Sequence, residues 1–170
     1  MKTLYFLAIS LLAPFMLSAQ VKNEDLPALL ETKQFVFKAN TAIPFADADL
    51  YQALRMLGNP GGGTIPLNTS VYDLQVKSDS VLAYLPYFGR AFMGVAERED
   101  LSIKFNSKKF NYQLDKRKKG GWRIKIITQD LKRNFTLFLE IAESGYATLN
   151  VRDQVRQAIS YYGYIDKLDE

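Results

Sequence analysis

Six segments of this chain alternate apolar and polar residues with a period of two, the pattern of a β-strand with one buried and one solvated face. Single polar residues such as Asp73, Lys104 and Arg123 separate the apolar positions. The apolar positions are Tyr72, Leu74 and Val76; Leu101, Ile103 and Phe105; Phe110, Tyr112 and Leu114; Trp122, Ile124 and Ile126; Phe135, Leu137, Leu139 and Ile141; and Ala147, Leu149 and Val151. The sequence therefore predicts an all-β fold.

Short segments with turn chemistry join these runs. They are Ser78-Asp79-Ser80, Asn106-Ser107-Lys108, Lys119-Gly120-Gly121 and Glu143-Ser144-Gly145. None is long enough to hold the crossover helix that parallel neighbours need, so consecutive strands are expected to pair antiparallel.

Such a meander leaves exposed backbone at both edges unless it closes on itself. Two further apolar segments, Phe35 to Ala39 and Ile159 to Ile165, supply enough strands for an up-and-down β-barrel of about eight strands. A sandwich of two sheets fits the same pattern. Asp47 to Leu57 and Arg152 to Ala158 break the alternation and are predicted as one or two short helices.

The first residues have the form of a secretory signal peptide. Lys2 precedes an apolar run from Leu4 to Leu17, which ends in Ser18-Ala19-Gln20. A membrane anchor is the alternative, but the run is shorter than the ~20 residues that span a bilayer, and Pro14 interrupts it. We therefore expect residues 1–19 to be removed and residues 20–170 to form one domain, periplasmic or extracellular, with no transmembrane segment.

The chain contains neither histidine nor cysteine. Without them there is no Ser-His-Asp triad, no thiol nucleophile, and no histidine or thiolate metal site. The carboxylates fall mostly in turns or on solvated faces, where they are more typical of solubility than of catalysis. We accordingly predict a protein that is not an enzyme and has no metal or cofactor, held together by packing rather than by disulfides.

The charge balance does not point to nucleic acid. The 22 Lys and Arg residues against 18 Asp and Glu residues give a formal net charge of +4. The local excess at Lys116-Arg117-Lys118-Lys119 precedes two glycines, which favours a solvated hairpin tip over a phosphate clamp. Contact with an anionic membrane or polysaccharide surface is the alternative for this run.

Aromatic residues are densest from Tyr84 to Phe92, around the chain-bending Pro86 and Gly89. One interpretation is a plug that closes an end of the barrel. The other is the rim of a pocket that holds an amphiphile and pairs its anionic head with Arg90. The candidate ligand-binding residues are Tyr84, Tyr87, Phe88, Arg90, Phe92 and, inside the barrel, Trp122.

Several parts of this chain resemble a known family: the string from Tyr84 to Arg90, Gly120-Gly121-Trp122, Gly145-Tyr146-Ala147, Arg156 and Ile159-Ser160-Tyr161. The family that they resemble is a secreted bacterial one, the domain of unknown function DUF4251, common in Bacteroidetes. The resemblance implies a lipocalin-like β-barrel in the cell envelope and no established activity or catalytic residue. We expect a non-enzymatic envelope protein that binds a lipid or other amphiphile in its barrel. The alternative is a structural or protein-interaction module, with an envelope protein as partner and a filled interior.

Overall fold

One antiparallel sheet accounts for most of the described chain. The computed structural model describes residues 25–44, 56, 63–67, 71–89 and 102–168. The elements within these ranges are α1 (Leu26–Thr32), β1 (Phe35–Pro44), β2 (Ile65–Pro66), β3 (Asp73–Val76), β4 (Val81–Pro86), β5 (Ser102–Ser107), β6 (Phe110–Lys116), β7 (Trp122–Thr128), β8 (Thr136–Ile141), β9 (Tyr146–Arg152) and β10 (Ile159–Lys167). The prediction of an all-β antiparallel fold is confirmed.

The strands follow the order β5-β4-β3-β1-β10-β9-β8-β7-β6, and the short β2 pairs with β1. Every pairing is antiparallel. The sheet curls into a nearly closed barrel, as predicted, with nine strands on this path rather than eight. The first and last of the described strands, β1 and β10, pair with each other near the middle of the path.

The predicted hairpin at residues 106–108 is wrong. β5 and β6 are consecutive in the chain but lie at opposite ends of the strand order. The reason is a contact with the β7–β8 loop, in which the carboxylate of Asp130 accepts hydrogen bonds from the Ser107 hydroxyl and from the backbone N–H of Lys108 and Lys109. The chain therefore bends at Lys108 and Lys109 and continues as the other edge strand. The other three predicted turns join paired strands.

The interior is mostly apolar, and its buried hydrophobic residues belong to one cluster. The predicted alternation is borne out most clearly in β7, β8 and β9, where Ile124, Leu139 and Leu149 are fully buried and their neighbours in the chain face outward. Burying one such side chain contributes about 1.5–3 kcal/mol. The inward side chains of the edge strand β6 are only half-buried.

The helical content differs from the prediction. The helix α1 was not predicted, although Pro27 stands in its first turn and Leu26, Leu29 and Leu30 share one face. Leu26 and Leu30 are buried in the core, and the Tyr112 hydroxyl donates to the Leu30 carbonyl at 2.7 Å.

The two predicted helices have different outcomes. The prediction of a helix over residues 152–158 is wrong, because the Asp153 carboxylate accepts from the backbone N–H of Val155 and of Arg156 and turns the chain directly into β10. The predicted helix from Asp47 to Leu57 lies outside the described residues, apart from Met56.

Candidate functional site

The structure separates the predicted aromatic cluster. Tyr84 lies on the outer face of β4, because Ala83 and Leu85 on either side of it are buried; its ring is 5.7 Å from that of Tyr72. Tyr87, just after β4, points inward and is buried. Tyr84 and Tyr87 therefore face opposite sides of the barrel wall.

The remaining predicted residues are less informative. Phe88 and Trp122 are half-buried and pack against the core. Arg90 and Phe92 lie outside the described residues, so their role as ligand contacts stays a prediction.

Tyr87 belongs to a buried polar cluster centred on Arg156. The Arg156 Nε lies 2.6 Å from Asp153 Oδ2, and the two side chains are 4% and 3% exposed. The guanidinium carbon lies 4.7 Å from the ring centroid of Tyr87 and 5.8 Å from that of Phe135. Its Nη1 donates to the Ser102 carbonyl at 3.2 Å. Arg156 thus joins the β9–β10 connection to β5 and to the residues after β4.

The polar groups of this cluster already have protein partners. The Tyr87 hydroxyl donates to the Gln157 carbonyl at 3.0 Å, and the Tyr161 hydroxyl donates to the Pro86 carbonyl at 2.7 Å. Burial raises the pKa of Tyr87, an effect that the nearby Arg156 charge partly offsets. In the part of the chain that the structure describes, no buried side-chain nitrogen or oxygen lacks a hydrogen bond. These contacts leave the Tyr87 and Tyr161 hydroxyls engaged with the protein's own backbone.

A second candidate site lies on the outside of the barrel. It is a groove of about 360 Å³ across β8, β9, β10 and β1, which we call the outer groove. Its lining residues are Asn40, Arg117, Glu140, Ala142, Tyr146, Ala147, Thr148, Tyr162 and Gly163. Strand pairing aligns Glu140 with Thr148 and Thr148 with Tyr162, so the polar part of the lining forms one row across three strands.

The charged end of the outer groove is a three-residue ion-pair cluster. Glu140 accepts hydrogen bonds from Arg123 at 2.9 Å and from Arg117 at 3.4 Å. Arg117 comes from the predicted basic run, whose residues are exposed at the end of β6 and in the turn that follows it. The run therefore forms a solvated hairpin tip, as predicted, and one of its members reaches the groove.

The floor of the outer groove depends on Gly163. A Cβ atom at this position would lie 2.0 Å from the Lys38 carbonyl oxygen and 2.8 Å from Cζ of Phe37. β1 has a register irregularity between Ala39 and Thr41, next to this close approach. Only glycine lets β10 pass so near to β1, and a side chain at this position would point into the barrel interior, against the buried ring of Phe37.

Neither a spanning helix nor a metal cluster occurs in the described ranges. No helix there has the length and apolar character needed to cross a membrane. No group of three or more acidic side chains there is arranged to hold a metal ion.

The comparisons with known proteins identify the family. A crystal structure of a DUF4251 family protein from Bacteroides eggerthii DSM 20697 matches with a TM-score of 0.57 over 85% of this chain and 87% of that chain. The sequence identity is 15%, so this similarity supports the fold alone. A search of curated proteins finds no match. The family model described as domain of unknown function (DUF4251) matches residues 18–165, and the chain belongs to this family.

Proposed function

We propose that this protein is an exported, non-catalytic protein of the cell envelope whose barrel interior is filled by its own side chains and which acts through its outer surface. One observation carries the proposal. A side chain beside a cavity large enough for water keeps some accessible surface, yet inward residues from seven strands have none. They include Phe37, Leu74, Leu85, Ile124, Leu139, Leu149 and Tyr161.

The chemistry of the accessible residues supports a non-catalytic role. The buried charges, Arg156 and Asp153, are paired with each other and lie away from solvent. The chain has no histidine or cysteine to act as base or nucleophile near neutral pH. What remains for function is contact with a ligand or with an envelope protein.

Binding of a lipid or other amphiphile in the barrel is the second candidate. It is favoured by the half-buried apolar side chains of β6, Phe110, Tyr112 and Leu114, and by the half-buried Trp122. Under this candidate an acyl chain enters beside the edge strand β6. The substitution Arg90→Ala then weakens binding of an anionic amphiphile by about tenfold, near 1.4 kcal/mol.

Uptake of an anionic fluorescent fatty acid, combined with native mass spectrometry of the purified protein, separates the two candidates. If the interior is filled, the protein carries no co-purified lipid and takes up no fatty acid at micromolar concentration. Stoichiometric uptake that is lost in Trp122→Ala would contradict the proposal and establish the amphiphile site. Phe138→Ala, on the outer face of β8, is the matched aromatic control.

A further inference from the structure

We infer that the outer groove is a binding site for an uncharged saccharide. This inference rests on the proposed function, because it assigns a ligand class to the outer surface on which the protein acts. Four features of the groove support it: exposed aromatic rings, free polar groups of both kinds, a fixed ion-pair cluster, and a volume suited to one or two sugar rings.

The aromatic rings come from two neighbouring strands. Tyr146 on β9 is 63% exposed and Tyr162 on β10 is 50% exposed, although large aromatic residues are usually more deeply buried. Tyr162 lies opposite Thr148, and Tyr146 lies opposite Tyr164, so the two groove tyrosines are diagonal neighbours, about 7–8 Å apart at their backbones. The electron-rich face of an aromatic ring attracts the C–H groups on the apolar face of a pyranose, while the hydroxyls of the sugar project sideways.

The polar groups of the groove are able to meet such hydroxyls. Within the described residues, the side chains of Asn40, Thr148, Tyr146 and Tyr162 are in no hydrogen bond to the protein. An amide and three hydroxyls supply donors and acceptors together. A saccharide hydroxyl also donates and accepts, so this mixture matches it better than it matches an acyl chain or a purely anionic group.

The ion-pair cluster fixes one more acceptor in place. Glu140 is held by Arg123 and Arg117, and its two oxygens keep lone pairs free for a ligand. Glu140 stands at the charged end of the row, where the guanidinium groups of Arg117 and Arg123 more than balance its negative charge, so the neutral character of the ligand rests on the tyrosine rings and the uncharged polar groups.

The size and shape of the groove limit the ligand. Its volume of about 360 Å³ is near the lower end of small-molecule sites. Ala142 is small, and Ala147 and Gly163 face the barrel interior, so mainly backbone forms a shallow floor that is open to solvent. An open groove of this size fits one or two rings of a longer chain that continues past the protein, rather than an enclosed monosaccharide.

The test is a titration of the ¹⁵N-labelled protein with neutral gluco-, manno- and galacto-configured trisaccharides, each to about 10 mM. We expect amide shifts at residues 146–148 and 162–163 with at least one of the three, and a Kd of about 1 mM or below. Tyr162→Ala weakens binding at least about tenfold, whereas the control Phe138→Ala, an aromatic on the same face outside the groove, leaves it unchanged.

Three results would overturn the inference: no shift with any trisaccharide, shifts that persist undiminished in Tyr162→Ala, or binding of sulfated polysaccharide in place of the neutral probes. The spectrum of Tyr162→Ala itself reports whether that variant is folded. The proposed function fails on a different measurement, the uptake of fatty acid. A negative titration with no fatty-acid uptake removes the saccharide and leaves the filled, outward-acting barrel.

Discussion

Arg156 carries a full charge at a position where only 5% of the residue is exposed. Removing a cation from water is costly, and the cost is recovered only if every donor finds an acceptor or an aromatic face. Asp153, the Ser102 carbonyl and the rings of Tyr87 and Phe135 provide these partners. The side chain therefore fixes the positions of three separate segments of the chain.

We expect Arg156→Met to lower the free energy of unfolding by about 3–5 kcal/mol, because it leaves the Asp153 carboxylate buried and unpaired. Urea denaturation measures the change. The control is Lys167→Met, which breaks the exposed ion pair with Asp25 and is expected to cost less than about 1 kcal/mol. A decrease in the free energy of unfolding of less than about 1 kcal/mol for Arg156→Met would mean that Arg156 does not stabilise the buried cluster.

At the scale of single residues, the sequence predicted some side-chain positions and missed others. The outward position of Tyr84 follows from the alternation of Val81, Ala83 and Leu85, a signal present in the sequence. The partners of Arg156 could not be predicted from the sequence, because Ser102 and Phe135 are distant in the chain and come near Arg156 only in the folded sheet. The outer groove could not be predicted for the same reason, since its residues come from several strands.

The bend between β5 and β6 is the element on which the path of the sheet depends. Asp130 holds it through the Ser107 hydroxyl and the backbone N–H of Lys108 and Lys109. These hydrogen bonds, the Ser107 hydroxyl first, keep the pKa of the Asp130 carboxyl below its ordinary value. The ionised carboxylate is thus the form that stabilises the fold.

We therefore expect Asp130→Asn to lower the Tm at neutral pH, with the difference from the wild type closing in acid. A carboxyl with a lowered folded pKa contributes stability above its unfolded pKa and loses it as the pH falls through the folded value. Since the ordinary value is 3.8, the two melting curves converge below about pH 3.8. Calorimetry between pH 7 and pH 2 measures this convergence.

Asp115→Asn is the control, because Asp115 is an exposed carboxyl on β6. Its effect is expected to stay below about 0.5 kcal/mol across the range. A Tm difference for Asp130→Asn that does not change with pH would show that the carboxylate charge plays no part in holding the bend.

Local pattern predicted the elements better than their connections. Strands β7, β8 and β9 were predicted correctly because one face of each is buried and the other faces solvent, which gives a clear alternation of apolar and polar residues. Asn106-Ser107-Lys108 looked like a hairpin because its length and composition suit one; the deciding contact, with Asp130, lies outside any local window. The helical spacing of Leu26, Leu29 and Leu30 was present in the sequence, but the segment before the first strand was not assigned to any element.

For the whole molecule, the proposed export decides in which compartment its outer surface would act. We expect the protein recovered from the producing cell to begin at or near Gln20, because Lys2, the apolar run and Ala19-Gln20 have the pattern of a signal peptide. Intact-mass measurement decides this. The variant Leu11→Arg interrupts the apolar run and should accumulate with its N-terminus uncleaved; full-length wild-type chain in the membrane fraction would contradict the expectation.

The pairing of β1 with β10 also has a consequence for the timing of folding. The register of this pair runs from Phe35 with Lys167 to Pro44 with Ile159, so the half of the sheet that contains β1, β3, β4 and β5 cannot join the half that contains β6 to β9 until β10, the last described strand, is available. Contacts between such distant residues form slowly. A polypeptide that leaves the cytoplasm N-terminus first would then remain open, and able to pass through a narrow channel, until its final residues had been released.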